Sequence, residues 1–291
     1  MPSRSTHNWS PRVLLLIATA LVMVSVLMPY GEFLLYPFQL FGTFIHEVSH
    51  AVAAVATGGQ VHEMRVNLDT SGHVLSSGGS RMLISSAGYT GSILVAAAIL
   101  LAGRRRRWAR RTLFIVGGAT LLSTVAFGGA GITMIAGFAL AIGVLLAAAG
   151  HRHLQVQKAR RGWSLLGTGG LLSVAALIYL TISGALLTWA IGLGMGALIL
   201  GVALFARPVL QHLTVLFLGV MVAFDGIDSV RVLLRLTTNN LVDHSDAINM
   251  ANHTGIPATF WAVLWAVSGV LVIVGAFWLF WRDERTASKR S

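Results

Sequence analysis

The chain contains no cysteine among its 291 residues. Disulfides, thiolate metal sites and cysteine nucleophiles are therefore excluded, and any bound metal must be held by His, Asp or Glu. Charge is also scarce: Asp, Glu, Lys and Arg make up 11% of the residues, against about 25% in a typical soluble domain. Only 10 of them are acidic against 21 basic. What fills the chain instead is apolar: 55% of residues are hydrophobic and the mean hydropathy is +0.76. Apolar runs recur near the length of roughly 20 residues that crosses about 30 Å of hydrocarbon, which leaves no room for a large soluble domain.

These runs predict an all-α polytopic membrane protein, a multi-pass protein of the cell membrane. About nine transmembrane or membrane-embedded helices are expected, near 12–30, 34–57, 82–102, 112–127, 131–149, 164–183, 185–205, 208–236 and 258–281. The whole of 1–291 reads as a single integral-membrane domain with short polar tails at 1–11 and 283–291. The first run ends in MPYGEF without a small-residue cleavage site and reads as a retained span. Between the second and third helices, VHEMRVNLDTSGHVLSSGG alternates apolar and polar residues around glycine breaks, the pattern of a small β-hairpin.

The net charge of +11 does not point to nucleic acid, because the basic residues sit in short blocks between apolar runs. RRRRWARR at 104–111, RHLQVQKARR at 152–161 and RDERTASKR in the tail are expected on the cytoplasmic side, facing anionic lipid. Nine spans would then put the N-terminus outside, whereas Arg4 and Arg12 favour inside; either that N-terminal signal is overruled or one early segment is re-entrant. The glycines of GLGMG at 192–196 and AGYTGS at 87–92 read as helix-packing positions, the latter bringing the third helix against the second, with Tyr89 as an interhelical hydrogen-bond donor.

The exception to the apolar pattern is FGTFIHEVSHAVAAVATGG, residues 41–59. His46, Glu47 and His50 spell HExxH, which on a helix sets two imidazoles one turn apart, able to bind one Zn²⁺, with Glu47 as general base on a water at the metal. Each ionisable group deep in a bilayer costs on the order of 2.5–3.5 kcal/mol. A divalent cation offsets that cost by taking the imidazole lone pairs and partnering the carboxylate. A catalytic zinc needs a third protein ligand. Asp225 in MVAFDGIDSV is the first candidate, since helices two and eight running the same way would place it at the depth of His46 and His50. Asp228, with Arg231 one turn on, is the alternative ligand; Asp246, a histidine, or no third protein ligand complete the set. Asp243, His244, Asp246 and His253 in the 237–257 loop are a weaker candidate for a second cation site, or else capping groups of a segment begun by Ser245.

These blocks resemble the site-2 protease family, in its compact bacterial branch without a PDZ insertion. The resemblance rests on FIHEVSHAVAAVATGG, on SSAGYTGS at 85–92, on FDG at 224–226 and on SDAINMANHTGIPATFWAVLW at 245–265. It implies an intramembrane zinc metalloprotease with His46, His50 and Asp225 as zinc ligands and Glu47 as catalytic base, acting on transmembrane segments of other proteins within the lipid bilayer. The chain departs from the family in reading VAFDGID where relatives carry a proline-rich PxxDG. An edge of the expected hairpin is suited to hold an unwound substrate by β-addition. The rival readings are a non-catalytic protein using HExxH as a structural metal clasp and a divalent-metal transporter; the absence of an internal sequence repeat speaks against the latter.

Overall fold

The computed structural model describes residues 9–129, 131–157, 160–238 and 245–287. Within them the chain forms ten helices and one hairpin: α1 (Pro11–Leu27), α2 (Gly31–Ala56), β1 (Gln60–Val66), β2 (Gly72–Ser77), α3 (Arg81–Ala102), α4 (Arg106–Phe127), α5 (Ile132–Gln157), α6 (Arg160–Ile182), α7 (Leu186–Phe205), α8 (Pro208–Thr238), α9 (Asp246–Thr254) and α10 (Ala258–Ala287). Nine coincide with the expected helices. The tenth, α9, falls in the segment read as a polar loop. Six of the described helices are long and apolar enough to cross a membrane: α3, α5, α6, α7, α8 and α10. The expected nine spans are thus reduced. Helix α4, whose first turns carry Arg106, Arg107, Arg110 and Arg111, is not among the six, and α1 and α2 qualify only as a pair bent by 119°.

Local chemistry explains these ends. Pro11 begins α1, where its missing N–H costs nothing, and the Ser10 hydroxyl accepts from the Val13 N–H at 3.3 Å. The bend between α1 and α2 falls at Tyr30, which holds a left-handed φ of 66° that a non-glycine residue adopts reluctantly. Helix α2 stops where TGG predicts: Gly58 takes φ 83° and the Gly59 N–H returns to the Ala54 carbonyl at 2.8 Å.

The hairpin is antiparallel, pairing Val66 with Gly72 and Gln60 with Ser77. Its turn is closed by Asp69, whose carboxylate accepts from the Ser71 hydroxyl (2.6 Å) and N–H (3.0 Å), and these bonds hold its pKa below the usual carboxylate range. Two hydroxyls of α2 fasten that turn, Tyr36 to the Leu68 carbonyl (2.6 Å) and Thr43 to the Thr70 carbonyl (2.7 Å). The outer edge of β1 is met by α7, where Thr188 Oγ1 accepts from the Val66 N–H at 2.9 Å.

The main core gathers Phe41, Phe44 and Ile45 of α2, Met64 and Val66 of β1, Ile93 of α3, Ile199 of α7 and Val222 of α8. Helices α2 and α8 run the same way, with Phe38 edge-on to Phe217 (4.9 Å between centroids) and Asp225 lying against Gly42. Helices α5 and α6 pack chiefly on each other through Gly143, Gly150 and Gly169, and join the body at one end through Trp189. That fully buried ring lies on Gly137, and its Nε1–H donates to the Gly128 carbonyl at 2.9 Å.

Candidate metal centre

Helix α2 carries His46 and His50 one turn apart, and their Nε2 atoms are 3.1 Å from each other. The third corner comes from a residue 200 positions away: Asp246 Oδ2 lies 3.3 Å from His46 Nε2 and 3.1 Å from His50 Nε2. Asp246 reaches this point because it is the first residue of α9. The Ser245 hydroxyl caps that helix by accepting from the Ile248 N–H, and Ala247 and Met250 bury its other face against Ala262 and Trp265. Gly255, at φ 72°, ends it in the left-handed conformation that glycine tolerates.

Helix α3 completes the surroundings. The Ile84 carbonyl lies 2.6 Å from His50 Nδ1 and can only accept, so Nδ1 carries the hydrogen and the Nε2 lone pair faces Asp246 and His46. Gly88, one turn on, lies directly over the two Nε2 atoms, and a Cβ there would strike both. Gly91 admits Ser49 in the same way, with only 2.6 Å between its would-be Cβ and the serine side chain. This is the close approach of α3 to α2 expected of AGYTGS. Tyr89 departs from the hydrogen-bonding part foreseen for it: its ring stands edge-on to His46 (4.7 Å) and stacks on Trp265 (5.1 Å), so it wedges the ligand from outside.

Glu47 is buried, 4% exposed, with the first residue of β2, Gly72, against its Oε1. Its Oε2 has no hydrogen-bond partner among the described residues. A buried carboxylate oxygen left without a donor is unfavourable by about 1–3 kcal/mol or more and calls for a water or a cation.

The three facing atoms fit a divalent metal. Tetrahedral zinc with ligands at about 2.0–2.1 Å sets its ligand atoms roughly 3.3–3.4 Å apart, and the observed separations are 3.1, 3.1 and 3.3 Å. No arrangement of protons serves all three pairs as well, because His50 has its one neutral-state hydrogen on Nδ1.

The third corner differs from the first candidate of the sequence. Asp225 sits beside Gly42, one turn before His46, and is not in the His46–His50–Asp246 group. The depth match with Asp225 is roughly met, yet a capped helix delivers Asp246 from the side. Asp243, His244 and the side chain of Asp228 lie outside the described residues, and His253 is exposed on α9. The signal for Asp246 was present as a serine cap followed by apolar residues at 247 and 250, one face of a short helix.

A family model described as Peptidase M50B-like matches residues 14–166 and, overlapping them, 124–276. No curated protein and no solved structure matches the chain.

Proposed function

Since the chain belongs to the Peptidase M50B-like family, which agrees with the site-2 protease resemblance, we propose that it is an intramembrane zinc metalloprotease of the cell membrane. It hydrolyses peptide bonds in or near transmembrane segments of other membrane proteins. One observation carries the proposal: two imidazole nitrogens and a carboxylate oxygen converge within 3.3 Å of one another beside a buried glutamate with an unpartnered oxygen.

His46, His50 and Asp246 would hold the metal. When bound, zinc supplies Lewis acidity, polarising a carbonyl and lowering the pKa of water toward about 7. Glu47 takes the proton of the attacking water and passes it to the leaving amine; its unpartnered Oε2 is the atom free to do so. The Ile84 carbonyl keeps His50 in its metal-binding tautomer, and Tyr89 and Trp265 exclude water on the His46 side. A helical substrate hides its carbonyls in hydrogen bonds and must unwind locally. With the outer edge of β1 engaged by Thr188, β2 offers the edge that pairs with the unwound stretch.

The test is Glu47→Gln. Membranes from cells expressing the native chain should contain new protein termini that map to transmembrane segments, read by mass spectrometry. Those termini should vanish with Glu47→Gln while bound zinc stays constant. Identical termini from both would overturn hydrolysis in favour of a structural clasp or a transporter, neither of which needs a base at Glu47.

A further inference from the structure

Tyr36, Thr43 and Glu47 follow one another on α2 at spacings of seven and four, which puts them on one face of the helix. Alternate residues of the hairpin meet them in the same order. Tyr36 donates to the Leu68 carbonyl, Thr43 donates to the Thr70 carbonyl, and Gly72 lies against the Glu47 carboxylate. The stretch from 68 to 72 therefore runs alongside α2, and the contact at Glu47 continues a row that begins with two hydroxyl bonds.

What these hydroxyls grip is a rigid piece. Within the turn the Asn67 N–H donates to the Ser71 carbonyl at 2.8 Å, the Asn67 side chain donates to the Ser71 hydroxyl at 3.0 Å, and the Thr70 N–H donates to the Asn67 carbonyl at 3.1 Å. Thr70 holds a left-handed φ of 65°, which a β-branched residue adopts only where its surroundings impose it. The bond from Thr43 is part of that constraint. Any movement of the turn along α2 is thus passed to Gly72, two residues beyond Thr70.

Gly72 also stands where β2 is open. Its partner across the ladder, Val66, gives its N–H to Thr188 of α7 and not to β2. In an antiparallel ladder both residues of such a pair turn their main-chain groups outward, so the N–H and carbonyl of Gly72 face the free edge of β2. Val74, paired with Met64, does the same two residues on. A strand added there lies about 4.8 Å from β2, and its residue opposite Gly72 is the one beside Glu47.

We infer that Thr43 and Tyr36 are positioning residues that decide which bond of the substrate is cut: by fixing the hairpin turn along α2 they hold the edge at Gly72 beside the base. The inference rests on the protease reading. The described bonds of both hydroxyls go to main-chain carbonyls and none to a metal ligand, so both act through β2. A hairpin released from α2 slides along the helix and brings a neighbouring stretch of substrate to Glu47. Successive carbonyls of an extended chain point to opposite sides, so the next one able to face the metal is two residues away. Loss of one hydrogen bond shifts the balance between two such placements by about 2–10-fold.

The test maps new protein termini by mass spectrometry in membranes from cells expressing the full-length chain as native, Thr43→Val, Thr43→Ser, Tyr36→Phe, the double variant of Tyr36→Phe with Thr43→Val, or Glu47→Gln, with bound zinc measured in each. For every cut that depends on Glu47, the quantity read is the ratio of termini two residues away to termini at the main site. Thr43→Val and Tyr36→Phe should each raise that ratio about 2–10-fold, and the double variant further, with bound zinc unchanged. Thr43→Ser, which keeps the hydroxyl, should cut as the native chain does. An unchanged ratio in the double variant overturns the inference and leaves the protease reading standing. A fall in cutting with the ratio kept overturns it equally, since that is the mark of a merely structural role. Should Thr43→Val fail to accumulate, Tyr36→Phe, which removes one oxygen, decides by the same ratio. Identical termini from native and Glu47→Gln membranes refute the protease reading itself, and the inference with it.

Discussion

Replacing Gly88 with alanine sets two effects of opposite sign against each other. In a helix interior alanine is favoured over glycine by about 1 kcal/mol, so on backbone grounds α3 gains. The new methyl, however, meets both ligand nitrogens and lies 2.6 Å from His46 Cε1, where ordinary contact begins at 3.4 Å. Relief demands a retreat of at least about 0.8 Å, and more to clear the nearer nitrogens, either by α3 or by the imidazoles. If α3 retreats, the 2.6 Å bond from His50 Nδ1 to the Ile84 carbonyl is stretched beyond useful length. If the imidazoles turn, ligand distances leave the tolerance of about 0.2 Å that a zinc site allows. Disturbing an outer partner of a metal ligand alone weakens binding by about 10–100-fold. Here the proposed ligands are struck directly, so Gly88→Ala should weaken zinc binding by at least about 100-fold, or about 2.7 kcal/mol. Titration of the purified protein against a competing chelator reads this, and circular dichroism checks that helix content is kept. A well-folded Gly88→Ala protein with native zinc affinity would refute the assignment of the metal to the space between α2 and α3.

Asp246→Asn should lose most of its zinc while Asp225→Asn keeps it, as read by metal analysis; the reverse result would return Asp225 to the ligand set. Gly72→Ala, whose Cβ would come 2.6 Å from Glu47 Oε1, should impair hydrolysis but leave bound zinc unchanged, and a parallel loss of metal would show that β2 supports the ligands and not the base. Trp189→Ala removes a fully buried ring and its hydrogen bond to the Gly128 carbonyl. It should destabilise the protein by about 3–5 kcal/mol in denaturation measurements in detergent, and a change under about 1 kcal/mol would mean that α5 is held elsewhere.

Periodicity in the sequence was enough to find nine of the ten described helices and the hairpin, because apolar runs and alternation are local properties that tertiary packing here reinforces. HExxH likewise declared itself, its spacing being that of one helical turn. Span counting was less secure: Arg106 to Arg111 lower the apolar character of α4, and the Tyr30 bend joins α1 to α2, neither of which follows from helix length. The third corner was harder still. A depth comparison along spans ranks Asp225 first because it weighs only residues on membrane-crossing helices, whereas the His–His–Asp group takes its acid from α9. Asp246 stands on a nine-residue helix whose start at Ser245 was legible, but its place beside the histidines depends on Met250 and Trp265 packing together, a contact between segments that no local pattern reveals.

The three converging atoms join positions 46 and 246, and everything between them forms one closed circuit of the chain. The entropy of closing such a circuit grows only logarithmically, about 0.6 kcal/mol for each doubling of its length. The α5–α6 pair, packed chiefly on itself and hung from the Trp189 wedge, lies within that circuit without bracing the residues that close it. Its length is therefore nearly neutral to the assembly of the centre, and this is where the chain can accept inserted or deleted turns while the ends of the circuit still meet.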